Sequence, residues 1–171
     1  ARVIVLASTH AGEEEKILDN LNLKENDLLI IAPRHPERFA EVEKLASDYA
    51  KKHDFSFAKF SQTHKFEAKV NLLDTLGELV NVYAISDVVV LGGSFVPNIG
   101  GHNPIECAQF SPVVISGEFI FNQKALFSLV ENIYIAKASE IGDIIDSDAK
   151  KSKIAVQASA DAIIEDIRST L

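Results

Sequence analysis

Seven short runs rich in β-branched and other apolar residues recur along the chain: "RVIVLA" (2–7), "DLLIIA" (27–32), "FSFAKF" (55–60), "VNLLD" (70–74), "DVVVLGG" (87–93), "PVVISG" (112–117) and "NIYIAK" (132–137). Most are apolar at consecutive rather than alternate positions, so both faces of each strand must be covered, as happens when helices flank a parallel sheet. The intervening stretches, such as "EEEKILDNLN" and "ERFAEVEKLASDYAKK", repeat apolar residues at three and four positions, which is helical spacing. This alternation predicts an α/β fold: an open, mostly parallel sheet with helices on both faces. Residues 151–171, "KSKIAVQASADAIIEDIRSTL", read as a closing helix with Ile154, Ala158, Ala162 and Ile163 or Ile164 on one face. No repeat, low-complexity tract or linker divides the sequence, so residues 1–171 are expected to form a single domain.

Composition narrows the function. With 171 residues and 47% hydrophobic content, the chain can bury a real core. No apolar run approaches the roughly 20 residues needed to span a bilayer, and no basic-then-apolar leader opens the sequence. A soluble, cytoplasmic-type domain is expected. The formal charge is -8, and Lys150, Lys151 and Lys153 are the only clustered cations, which argues against a nucleic-acid face. A single cysteine, Cys107, excludes an internal disulfide and a multi-thiolate zinc site and reads as a small core residue. The sequence has no methionine and opens almost directly on a strand, so it reads as a piece of a longer protein.

In open parallel sheets, ligands bind beyond the carboxyl ends of the strands. Those exits here are "STHAGEE" (8–14), "PRHPERF" (33–39), "DTLGEL" (74–79) and "GGSFVPNIGGHNPIE" (92–106), and three of them carry His10, His35 and His102. Four of the eight glycines fall in the last exit. Glycine admits positive φ and lets backbone N–H groups approach an anion. Gly101, His102 and Asn103 lead into a helix predicted to start at Pro104 with Asn103 as N-cap, a position suited to a phosphate or carboxylate. Glu106, on the first turn, suits a ribose diol. The competing reading makes this exit a turn, Asn103 a cap and Glu106 a dipole-complementing acid.

Pro33 and Pro36 stiffen a loop that can aim Arg34, beside His35, at an anion, unless Glu37 or Glu41 pairs with it. Ser8 or Thr9 reads as a cap, and Glu13 to Glu15 as a solvated acidic face. No G-x-G-x-x-G follows the first strand and no Walker lysine occurs. A three-histidine metal site is disfavoured because no close H-x-H or H-x-x-x-H pair exists, and His53 and His64 read as surface residues.

Together with "PVVISGEFIFNQ" (112–123), these exits resemble, in order and from about Ser8 to about Ile133, the C-terminal half of the 3-deoxy-D-manno-octulosonic acid (Kdo) transferases of lipid A assembly. The family pattern "DTMGEL" has Met where this chain has Leu76, which keeps the apolar contact. The resemblance implies a two-domain GT-B glycosyltransferase whose Rossmann-like C-terminal domain binds CMP-Kdo. It also implies a catalytic carboxylate and acceptor groove in an N-terminal domain outside this chain. The acceptor would be a lipid A precursor at the cytoplasmic side of the inner membrane of a Gram-negative bacterium, with no membrane insertion by this domain, no cofactor and no metal.

By that resemblance the phosphate would meet Gly93, Ser94, the N–H groups of Gly101 to Asn103, and the side chains of Ser94, His102, Asn103 and Arg34. Glu106 would hold the ribose. The loops at Arg34, His35 and Pro36 and at Leu76, Gly77 and Glu78 would flank the cytosine, and His10 would face the sugar or its carboxylate. Two alternatives stay open. One is another GT-B protein, such as a different nucleotide-sugar transferase or a UDP-sugar 2-epimerase; the other is a non-catalytic nucleotide-binding module with structural glycines.

Overall fold

A computed structural model describes residues 1–155. In chain order the strands are β1 (Arg2–Thr9), β2 (Asp27–Pro33), β3 (Phe57–Lys59), β4 (Val70–Leu72), β5 (Val88–Leu91), β6 (Val113–Ser116), β7 (Val130–Glu131), β8 (Ile133–Ile135) and β9 (Lys153–Ile154). The helices are α1 (Glu13–Leu18), α2 (Phe39–Lys52), α3 (Phe60–Thr63), α4 (Leu79–Ile85), α5 (Ile105–Ala108), α6 (Lys124–Phe127) and α7 (Ile141–Asp146). Every predicted apolar run contains a strand. The expected closing helix lies mostly outside the described residues, and its described beginning differs from expectation: Lys153–Ile154 pairs antiparallel with β7.

Seven strands form one sheet in the order β3-β4-β2-β1-β5-β6-β8, and every pairing in it is parallel. Period-two alternation sends Ile4 and Leu6 to one face, where they meet Ile17, Val42, Ala46 and Ile141 from α1, α2 and α7. Val5 and Ala7 point the other way, onto Val82, Tyr83, Cys107 and Phe127 from α4, α5 and α6. Helices therefore cover both faces, which is why the central strands carry no polar alternation. Cys107 is fully buried, and burial pushes its thiol up to about 12, so it sits as a core residue. Among the described residues no helix is long and apolar enough to cross a membrane.

From β1 the chain lays β2 beside it, β3 at the sheet edge and β4 between β2 and β3, then returns to lay β5 on the other side of β1. The helices that follow β1 and β5, α1 and α5, pack on opposite faces of the sheet, and a crevice opens at the carboxyl ends of these strands. This is the topological switch point of a doubly wound sheet.

Candidate nucleotide site at the switch point

At the end of β1, Ser8 takes a left-handed φ of 53°, and the register with β2 shifts between Ala7 and Thr9. The chain then turns into α1, whose first residue, Glu13, is fully buried. Its Oε2 accepts N–H bonds from His10 and Gly93, both 2.8 Å. Its Oε1 accepts from Ser94 at 3.0 Å and Phe95 at 2.8 Å. A carboxylate from the exit of β1 thus fills the backbone nest at the exit of β5.

That finding corrects the reading of Gly93 and Ser94 as phosphate donors. Ser94 is fully buried; its hydroxyl donates to Leu91 O at 2.8 Å and accepts from Gly117 N at 2.7 Å. Gly101 N–H is likewise engaged, donating to Gly93 O at 2.8 Å. The glycine pair 92–93 serves the internal anion: a Cβ on Gly92 would stand 2.6 Å from Ser8 O and 2.9 Å from Glu13 Oε2. A Cβ on Gly93, at φ +73°, would stand 2.7 Å from the His102 ring.

The acidic triplet is also corrected, for only Glu15 of the three is exposed. Glu14, fully buried, accepts from Thr9 Oγ1 at 2.7 Å and from Arg38 Nη1 and Nη2 at 2.7 and 3.1 Å. Arg38 also reaches Glu41 at 3.0 Å. Burial works against the Arg38 charge, and the bonds to Glu14 and Glu41 outweigh it, raising its pKa. Arg38 thereby takes the partner proposed for Arg34. His35 Nδ1 lies 3.9 Å from Glu37, while Arg34 makes no ion pair among the described residues and its exposed side chain borders the crevice.

A recess of about 200 Å³ at the switch point is lined by Ser8, Arg34, Tyr83, Leu91, His102, Asn103, Glu106 and Gln123. Beside it, sharing Ser8 and Arg34, lies a slot of about 110 Å³ whose lining includes Pro33, Phe39, Thr75, Leu76, Gly77 and Leu79. Arg34, Leu76, Gly77, His102, Asn103 and Glu106 are thus brought together. Glu78 is turned to its own helix, accepting from Asn81 Nδ2 at 2.8 Å, and Pro36 opens an exposed 3-10 turn, Pro36–Arg38, outside both recesses. A larger recess of about 450 Å³ lies away from the strand exits, between α1 and α2, lined by Glu15, Leu18, Asp19, Leu45, Asp48, Tyr49 and Lys52.

Helix α5 begins at Ile105, with Pro104 already helical at φ -78° and ψ -17°. Asn103 Oδ1 accepts from Ile105 N–H at 3.0 Å, and its Nδ2 lies 3.4 Å from Glu106 Oε1. His10 Nε2 and His102 Nε2 are 2.8 Å apart, and His35 meets His10 edge-on with ring centres 5.1 Å apart. Burial first, then His10, Arg34 and His35, lower the His102 pKa to about 4; burial likewise lowers that of His10. Among the described residues no group of three or more His, Cys, Asp or Glu has a metal-holding arrangement.

Sequence reasoning missed Glu13, Ser8, Tyr83, Thr75 and Gln123. Tyr83 reads as an ordinary core position of a helix, and nothing in its spacing marks a recess wall; burial pushes its hydroxyl pKa well up.

The parallel sheet and its switch-point crevice define a Rossmann-like domain. No family model matches the chain. The structure superposes on the crystal structure of the C-terminal CMP-Kdo binding domain of WaaA from Acinetobacter baumannii with a TM-score of 0.72 and 32% identity, covering 84% of this chain and 77% of that one. The 3-deoxy-D-manno-octulosonic acid transferase of Haemophilus influenzae is 40% identical over an alignment of 135 positions that covers 75% of this chain and 30% of that protein. A bifunctional glycosyltransferase/methyltransferase of Fusobacterium nucleatum is 37% identical over 71% of this chain and 19% of its own length. The chain belongs to the 3-deoxy-D-manno-octulosonic acid transferase family, as its motifs led us to expect, and aligns with less than a third of the length of these two curated relatives.

Proposed function

We propose that this chain is the donor half of a Kdo transferase, holding CMP-Kdo while an N-terminal domain presents a lipid A precursor at the cytoplasmic side of the inner membrane. The observation that carries this reading is the switch-point crevice, where the Arg34 guanidinium, an imidazole and a carboxylate converge beside an apolar slot. In this reading the phosphate lies against Arg34, His102 and Asn103. Glu106 accepts from the ribose hydroxyls, and the base enters the slot between Pro33 and Leu76–Gly77. His10 faces the sugar.

Departure of CMP leaves growing negative charge on the phosphate as the sugar carbon becomes cationic, and donors fixed before reaction stabilise that charge without reorganising. One phosphate presents a charge that Arg34 can balance. The attacking hydroxyl must lose its proton to a base near the donor carbon, a role assigned here to the N-terminal domain.

A thermal-shift panel of CMP, UMP, UDP and AMP tests the reading, because a ligand that binds the native state raises the melting temperature. CMP should give the largest rise. A larger rise with UMP or UDP would favour another GT-B donor, and no rise with any of them would favour a non-catalytic module.

A further inference from the structure

The loops leaving β1 and β5 meet in a pair of imidazoles. His10 Nε2 and His102 Nε2 stand 2.8 Å apart with their rings 14° from parallel. At that distance one nitrogen donates and the other accepts, so the contact holds a single hydrogen; two N–H groups pointing at each other would repel. The arrangement is built from below. Glu13 Oε2 accepts from the N–H groups of both His10 and Gly93, and the bare Cα of Gly93 makes room for the His102 ring.

Charged groups surround the pair from every side. The loop after β2 brings His35 and Arg34, the 3-10 turn that follows brings Arg38, α1 brings Glu13 and Glu14, and α5 brings Glu106. Glu14 is taken by Arg38 and Glu13 by backbone N–H groups. Arg34 is left without an ion pair among the described residues. This end of the recess therefore has one open cation and, in the imidazoles, an unused capacity for another proton.

The geometry points to the His10–His102 pair as a proton-accepting seat for the anion of a nucleotide phosphodiester. As the anion arrives, the shared hydrogen bond breaks and both Nε2 atoms present N–H to phosphate oxygens. The ring that had been the acceptor gains one proton from solvent and becomes imidazolium. This inference rests on the crevice being the donor-nucleotide site.

The sign of the pH dependence follows. Without ligand, burial and the neighbouring positive groups hold His102 at about 4; a bound anion raises the pKa of the pair. Affinity is then greatest on the acid side and falls by about ten-fold per pH unit between the free and the raised value, levelling off above the latter.

The test is calorimetric titration of the chain with cytidine 5′-methyl phosphate, a diester that keeps one charge, with cytidine as the control lacking the anion. Run at about pH 6 in two buffers of different ionisation enthalpy, the parent should take up about one proton per diester bound and none with cytidine. Its affinity for the diester should fall by at least about ten-fold between about pH 5.5 and about pH 7.5. The double variant His10→Asn, His102→Asn should still bind cytidine and show no proton uptake with the diester. Diester binding without proton uptake in the parent, or equal uptake in the double variant, overturns the inference and leaves the nucleotide site standing. Failure of the parent to bind either probe overturns both.

Discussion

Glu13 shows what one buried carboxylate does to a loop. Its two oxygens serve four backbone N–H groups from segments some 80 residues apart. Glu13→Gln would place an amide N–H₂ against two of those donors, and each buried donor left unsatisfied costs about 1–3 kcal/mol. The expected loss is therefore about 2–6 kcal/mol by urea unfolding. An unchanged midpoint and slope would mean that the nest does not depend on the carboxylate. Two further variants separate the proposed ribose and phosphate contacts. Glu106→Ala should weaken CMP and cytidine alike, whereas Asn103→Ala should weaken CMP more than cytidine, each by about ten- to hundred-fold. Asn103 also holds the Ile105 N–H, so its removal costs about 1 kcal/mol of stability and binding must be read on protein shown to be folded. If both folded variants keep the parent's affinity for CMP, the assignment of this exit to the nucleotide is wrong.

Elements were the most legible level of the sequence. Strands buried on both faces announce themselves as unbroken apolar runs, and all seven runs hold strands. Their ends were less legible: the run at 55–60 yields a strand only at Phe57–Lys59, because Phe60 already starts α3. The crevice could be placed by topology, yet the occupant of its glycine-rich nest could not. Three consecutive glutamates look solvated by residue type, and only the tertiary fold brings Glu13 to Gly93. The starts of β1 and β2 are tied by Arg2 and Asp27, 2.8 Å apart. Burial would raise the Asp27 carboxyl, but bonds from Arg2 and the Lys24 N–H outweigh it and hold its pKa below the ordinary value. A depressed carboxylate stabilises the fold above its unfolded pKa of about 3.9, and that contribution is lost as pH falls through the folded value. Asp27→Asn should therefore cost stability at neutral pH and converge with the parent in acid unfolding curves below about pH 3. A gap that stays constant into acid would remove Asp27 from that account.

At the scale of the whole molecule, the chain carries the switch-point crevice and aligns with 30% of its Haemophilus relative. Positioning two reactants and a base in one site is what turns binding into catalysis, so this chain alone should bind CMP and transfer no Kdo. Transfer by the purified chain would contradict the two-domain account. Chelator should leave CMP affinity unchanged, and a large loss on adding EDTA would instead assign a metal to the three histidines. The central claim, that the switch-point crevice is the nucleotide site, is tested most directly by an NMR titration of the isotope-labelled chain with CMP. The account predicts amide shifts at His102, Asn103, Ile105 and Glu106 and at Thr75 to Gly77. No shifts, or shifts confined to the recess between α1 and α2 around Asp48 and Lys52, would contradict it.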